Sequence, residues 1–156
     1  QGADALRAFL DREIANAGPP TDVERPFSFR LGDVIVKGQI DRVDEGPEGI
    51  AITDYKTSEL DSDEDPDAKA RDSLQLSIYA LAHRELTGRV PDRLELRYVL
   101  SGATGTSTRS EDKLERTRDR ILAIAESVRA SDFRAQPSDH NCSICACRPI
   151  CAESAV

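Results

Sequence analysis

The sequence predicts an α/β domain in which a mixed sheet of about four strands is flanked by helices. Segments with apolar residues at helical spacing alternate with segments in which every second residue is apolar, in the order α, β, β, β, α, β, α. The length of 156 residues suits one domain with a single core. Since no apolar run approaches the roughly 20 residues that span a bilayer, a membrane protein is excluded.

The first half of the chain predicts a helix and then three antiparallel strands. Leu6, Leu10 and Ile14 recur at helical spacing in residues 3–17, and the Gly-Pro-Pro that follows ends the helix. Alternating apolar and polar residues then predict strands over residues 27–31, 34–43 and 50–56. Short turn-forming segments join these strands, so they should form an antiparallel meander.

The second half predicts two helices on either side of a fourth strand. Helical spacing covers residues 72–86 and 113–130, while residues 94–100 alternate as a strand does. Residues 101–110 are rich in Gly, Ser and Thr and are expected to form a flexible loop. The acidic segment 58–67 offers almost no apolar surface, so we expect a mobile loop there as well.

The net charge of −8 is unevenly distributed along the chain. Residues 58–67 hold six acidic residues and no basic one, whereas residues 68–134 hold 13 basic and 10 acidic residues. An anionic partner is therefore compatible with the acidic total. No basic leader followed by an apolar stretch opens the sequence, so secretion has no support and a cytoplasmic location is expected.

Acidic residues cluster at the ends of the second and third predicted strands. If the turn between them centres near residues 47–48, facing positions sum to about 95 and Asp41 lies opposite Asp54. Opposed carboxylates destabilise a sheet unless a cation offsets them, and Mg²⁺ or Mn²⁺ prefers such oxygen ligands. Lys56 projects from the same face as Asp54. The alternative is a set of solvated strand ends with a surface ion pair, worth about 0 to 1 kcal/mol.

Three motifs occur in order: Gly-x-x-Asp-Arg-x-Asp at 38–44, Asp-Tyr-Lys-Thr at 54–57 and Gln-x-x-x-Tyr at 75–79. With this combination the chain resembles the RecB-like branch of the PD-(D/E)XK nuclease superfamily, from about residue 24 to residue 151. The resemblance implies a restriction-endonuclease-like core and metal-dependent cleavage of DNA.

The same resemblance implies roles for individual residues. Asp41 and Asp54 correspond to the acids that bind Mg²⁺ or Mn²⁺, and Lys56 corresponds to the catalytic lysine. Gln75 and Tyr79 lie one helical turn apart, so both could position the scissile phosphate or the lysine. The alternative for these two is an ordinary polar and aromatic pair on a packed helix.

The resemblance also implies a biological context, the nuclease module of a helicase-nuclease in DNA repair and recombination, with DNA and a helicase region as partners. Two alternatives stay open: a catalytically silent DNA-binding or scaffolding module, and a free-standing CRISPR-associated exonuclease. One departure concerns the metal-binding histidine that helicase-linked relatives carry before the first acid. His83 and His140 both come after it, so we expect the chain to begin beyond that segment and His83 to lie at a helix surface or edge.

All four cysteines fall within ten residues near the C-terminus. Cys142, Cys145 and Cys151 form C-x2-C-x5-C, and Cys147 lies inside it. Thiolates select zinc or iron–sulfur centres. The resemblance implies a [4Fe–4S] cluster held by the first three and by an upstream cysteine that this sequence lacks; Cys147 is the local substitute, and zinc is the alternative. We therefore expect a single nuclease domain over residues 1–156, part of a longer chain, with a metal-binding tail over 138–156.

Overall fold

The computed structural model describes residues 2–16, 19–61 and 63–155. Residues 1–122 form one compact unit and residues 123–156 a second. The helices are α1 (Gly2–Asn16), α2 (Pro66–Asp72), α3 (Leu74–Thr87), α4 (Glu111–Arg129) and α5 (Asp139–Ile144), with a 3₁₀ turn at Arg148–Ile150. The strands are β1 (Asp22–Leu31), β2 (Val34–Gly46), β3 (Gly49–Lys56), β4 (Arg93–Tyr98) and β5 (Thr104–Ser107).

One mixed sheet with the strand order β1-β2-β3-β4-β5 forms the centre of the first unit. Strands β3 and β4 are parallel, and the other neighbours are antiparallel. Parallel neighbours require a crossover connection, and the segment containing α2 and α3 provides it. The predicted mixed α/β architecture is confirmed.

The sheet has five strands rather than the four predicted. Strand β5 lies within residues 101–110, which were expected to form a flexible loop, and it pairs with β4 at Leu96↔Gly105. This segment lacks an alternating apolar pattern, and the exposed backbone groups of β4 supply its pairing. A Cβ atom at Gly105 would overlap the backbone carbonyl of Pro66, so glycine allows α2 to lie against β5.

The helix predicted over residues 72–86 is confirmed as α3, and the structure adds the short helix α2, which meets α3 at Ser73. The Ser73 hydroxyl accepts a hydrogen bond from Leu76 N over 3.1 Å and caps α3. Helix α2 begins at Pro66, inside the expected acidic loop, and the Asp65 carboxylate caps it. The loop prediction is therefore wrong from Pro66 onward; residue 62 lies outside the described residues.

The core of the first unit lies where α3 packs against the sheet. The largest fully buried apolar side chains are Leu31, Ile40, Val43, Ile50, Ile52, Leu76, Leu81, Leu94 and Leu114. Each buried side chain of this size contributes about 1.5 to 3 kcal/mol relative to exposure. The core thus fixes α3 against β1, β3 and β4. Helix α3 and strand β3 carry two of the three sequence motifs, and β2, the neighbour of β3, carries the third.

Residues 123–156, the second unit, contain the end of α4, helix α5 and the 3₁₀ turn. The Ser138 hydroxyl caps α5 by accepting from Asn141 N over 3.1 Å. Large apolar side chains of this unit are exposed, at Ile124, Val128, Phe133, Ile144 and Ile150. Throughout the described residues, no helix has the length and apolar character needed to cross a membrane.

Candidate active site

Strands β2 and β3 meet in the predicted register. Their pairs include Arg42↔Thr53 and Val43↔Ile52, which sum to 95, so the next facing positions are Asp41 and Asp54. The described ladder ends at Arg42, where the backbone N–H of Tyr55 donates instead to Asp41 Oδ2 over 2.9 Å. A side chain thus replaces the next backbone pair and holds the Asp41 carboxylate beside β3.

Asp54 is almost completely buried, with 1% of its surface exposed. Its Oδ2 atom lies 2.7 Å from Lys56 Nζ. This ion pair holds the buried carboxylate oxygen beside the ammonium group of Lys56. Burial raises the pKa of Asp54, the Lys56 ammonium opposes this rise, and the nearby Asp41 carboxylate adds to it.

A residue of helix α3 also binds the ammonium group of Lys56. Lys56 Nζ donates to Gln75 Oε1 over 2.7 Å, and Gln75 Nε2 donates to the Tyr79 hydroxyl over 2.9 Å. The Tyr79 ring packs edge-on against Phe27, which fixes its position. Burial raises the pKa of Tyr79, so its hydroxyl stays protonated at neutral pH. The structure therefore brings together all five residues of the sheet and α3 that the sequence singled out.

The arrangement of Asp41 and Asp54 fits a divalent cation that keeps part of its water shell. Two carboxylates face each other, and the Asp41 charge adds to the rise in the pKa of Asp54, a repulsion that a bound cation would relieve. Mg²⁺ commonly takes one or two protein carboxylates and completes its shell with water and phosphate oxygens. Two carboxylates would supply only part of such a shell.

His83 is not at a helix surface, as was expected, but buried with 4% exposure. It follows Tyr79 by four residues, so it shares the face of α3 that packs inward. Burial lowers the pKa of the imidazole, and Nε2 has no hydrogen-bond partner within the described residues. His140 lies in the second unit and is exposed.

Sequence reasoning missed a charged cluster on the opposite face of β2, β3 and β4. Arg42 makes a two-pronged bond to Asp44 over 2.7 and 2.9 Å and also donates to Glu13. Arg97 bonds Glu95 over 2.8 Å and also Glu13. The signal in the sequence was the alternation of charged residues along β4, which places them all on one face.

The four thiols of the second unit are free and do not converge. Cys142 is buried, Cys151 is partly exposed, and Cys145 and Cys147 are exposed. Backbone N–H groups of Ala155 and Ser138 lower the pKa of the Cys142 thiol. Within the described residues, no three His, Cys, Asp or Glu side chains are close enough together to hold a metal ion.

A family model described as the PD-(D/E)XK nuclease superfamily matches residues 2–152. The Gene 69 protein of Mycobacterium phage L5 is 28% identical over 134 residues, which cover 81% of this chain and 43% of that protein. The chain thus spans less than half the length of this curated relative.

Two solved structures share the fold. SSO0001 superposes with a TM-score of 0.60 at 18% identity, covering 99% of this chain and 70% of that one. A protein from Eubacterium rectale, named as a candidate exonuclease, gives 0.56 at 14% identity and covers 95% and 59%. At these identities the likeness concerns the fold alone.

Proposed function

Because the chain belongs to the PD-(D/E)XK nuclease superfamily, we propose that it hydrolyses phosphodiester bonds of DNA with the help of Mg²⁺ or Mn²⁺. The observation that carries this proposal is the meeting of Asp41, Asp54 and Lys56 where the pairing of β2 with β3 ends. Two acids and an ammonium group side by side match what phosphoryl chemistry requires.

Each residue of the candidate site has its own role in the proposed reaction. Asp41 and Asp54 would hold the cation, which when bound lowers the pKa of a water nucleophile and stabilises charge on phosphate oxygens. Lys56 adds a positive charge beside the scissile phosphate. Gln75 and Tyr79 would orient Lys56, because Gln75 accepts a hydrogen bond from the ammonium group beside Asp54 and Tyr79 holds Gln75 in place.

We further propose that the chain is the nuclease module of a RecB-like helicase-nuclease of the cytoplasm that acts in DNA repair and recombination. Its support is the sequence resemblance of the three motifs at residues 38–44, 54–57 and 75–79. The test is ATP-driven DNA unwinding by the natural full-length protein. Unwinding supports the helicase context, and its absence favours a free-standing exonuclease.

The nuclease proposal is tested by incubating the protein with linear single-stranded and double-stranded DNA. Cleavage is expected with Mg²⁺ or Mn²⁺, and a chelator should abolish it. DNA binding without cleavage in either metal would contradict the proposal and would favour the catalytically silent module.

The effect of the metal on stability provides an independent prediction. A cation at about 100 times its Kd should stabilise the wild-type protein by about 2.7 kcal/mol, measured by thermal unfolding. Asp54→Asn should remove this stabilisation because it removes one ligand. The matched control Glu48→Gln, at an exposed turn, should keep it.

Without metal, Asp54→Asn should be more stable than the wild type at neutral pH. The pKa of Asp54 is raised on folding, so the folded state binds the proton more tightly than the unfolded state. The wild type therefore loses stability as the pH rises from the unfolded pKa, about 3.9, through the higher folded pKa. Equal metal-free stability of the two proteins at pH 7 would contradict this assignment.

A metal centre at Cys142, Cys145 and Cys151 remains a proposal that rests on their spacing. Protein purified without oxygen should contain iron, or alternatively zinc, in stoichiometric amount, and Cys151→Ala should abolish it. Cys147→Ala is the comparison that tests Cys147 as the fourth ligand. Metal analysis that finds neither element would reject the centre.

A further inference from the structure

Glu13 of helix α1 lies behind the strand that carries Asp54 and Lys56. We propose that Glu13 is a positioning residue for the metal site: its carboxylate holds strands β2 and β3 together from the face opposite the two acids. The inference rests on the proposed function, since the site that Glu13 positions is the one proposed to bind Mg²⁺ or Mn²⁺.

Side chains from three neighbouring strands donate hydrogen bonds to the Glu13 carboxylate. Arg42 of β2 donates to Oε2 over 3.1 Å, and the Tyr55 hydroxyl of β3 donates to the same oxygen over 3.3 Å. Arg97 of β4 donates to Oε1 over 2.5 Å. The Glu13 side chain is only 17% exposed. Water therefore screens these interactions less than it screens surface ion pairs.

The bonds to Oε2 flank the point at which β2 and β3 stop pairing. The last described backbone pair on this side is Arg42↔Thr53, and the next facing positions are the two acids of the proposed metal site. Arg42 belongs to one strand and Tyr55 to the other, and both donate to one oxygen of Glu13. That oxygen thus bridges the two strands directly behind the acids.

Tyr55 connects the Glu13 contacts with the metal site. It lies between Asp54 and Lys56, so its ring projects from the opposite face of β3. Its backbone N–H holds the Asp41 carboxylate at 2.9 Å. Without Glu13, the Tyr55 hydroxyl would lose its hydrogen-bond acceptor. The Tyr55 backbone N–H, which holds the Asp41 carboxylate, would then be less firmly fixed.

Charged contacts, more than apolar packing, hold α1 at this place. Exposed apolar side chains of α1 are Leu6, Leu10 and Ile14. A cavity of about 270 Å³ lies beside Glu13, with Phe9 and Arg97 in its lining. The ring of Phe9 does contact Tyr55 edge-on, at a centroid distance of 5.5 Å. Removal of the Glu13 charge should therefore loosen the contact between α1 and the sheet.

The test is Glu13→Gln, which keeps the size of the side chain and removes its charge. Mn²⁺ binding, measured by titration calorimetry without DNA, should weaken about 10-fold. Losses of this size are typical when a residue that helps to hold a metal ligand in place is removed. Cleavage should recover toward the wild-type rate at saturating Mn²⁺.

Two further variants control the experiment. Asp11→Asn makes the same charge change at an exposed position of α1 and should bind Mn²⁺ as the wild type does. Tyr55→Phe removes only the hydroxyl link, should weaken Mn²⁺ binding by a smaller factor, and decides the question if Glu13→Gln does not fold.

Unchanged Mn²⁺ affinity in the folded variants of Glu13 and Tyr55 would overturn the positioning role and leave the proposed nuclease intact. A wild-type protein that neither binds Mn²⁺ nor cleaves DNA would overturn both proposals. The wild-type measurements alone distinguish this second failure from the first.

Discussion

Asp54→Ala and Lys56→Ala are each expected to reduce DNA cleavage by at least about 100-fold, measured as the initial rate with saturating Mg²⁺. Asp54→Ala removes one of the two carboxylates that face each other across β2 and β3. Lys56→Ala removes the ammonium group that lies 2.7 Å from Asp54 Oδ2. Circular dichroism and thermal unfolding should show that both variants keep the fold.

The Lys56 variant also has an expected pH signature. Lys56 opposes the rise in the pKa of Asp54, so without the ammonium group this pKa should rise further. Residual cleavage that needs ionised Asp54 should then increase toward higher pH. Lys37→Ala, at an exposed position of β2, is the matched control and should cleave at the wild-type rate. Wild-type rates in either Asp54→Ala or Lys56→Ala would rule out the assignment.

Arg109→Ala is expected to destabilise the protein by about 3 kcal/mol or more, measured by denaturant unfolding. The guanidinium is 6% exposed and donates to Ser77 Oγ over 2.8 Å, to Ala70 O over 2.9 Å and to Ser73 O over 3.1 Å. A hydrogen bond to a charged group contributes about 1.5 to 3 kcal/mol, and the variant loses these three. The acceptors themselves keep bonds from Ser107 Oγ and between Ser73 and Ser77. The loss of stability should be large because this one side chain makes three hydrogen bonds to the segment where α2 and α3 meet.

Two variants control for the loss of charge alone. Arg116→Ala, at an exposed position of α4, should change stability by less than about 0.5 kcal/mol. Arg109→Lys keeps the charge but lacks the planar fork, so it should recover only part of the lost stability. Equal stability of Arg109→Ala and the wild type would show that these hydrogen bonds do not support the junction.

The sequence was sufficient to predict the register of the central strands. The turn at residues 47–48 and the alternation on both sides of it placed Asp41 opposite Asp54, and the pairs Arg42↔Thr53 and Val43↔Ile52 have that register. This succeeded because a hairpin is local: the length of the turn sets the register, and a slip of one residue would move the buried side chains to solvent.

Strand β5, the start of α2 and the break at Ser73 could not be predicted in this way. Strand β5 has no apolar alternation of its own and forms because β4 has a free edge and Gly105 lets α2 approach. The Ser73 break depends partly on Arg109, which lies 36 positions later in the chain. Contacts between segments far apart in sequence stabilise these features, and a local pattern does not contain them.

Some features of the candidate site could likewise be predicted from the sequence, and others depend on tertiary packing. Local strand alternation predicted that Asp54 and Lys56 share a face, with Asp54 opposite Asp41, whereas the family resemblance pointed to Gln75 and Tyr79. Only the tertiary structure showed that Asp54 is almost wholly buried and that Glu13, from a helix that precedes the sheet, binds behind β3. Burial and long-range ion pairs are set by the packing of whole elements, and that packing raises the pKa of Asp54.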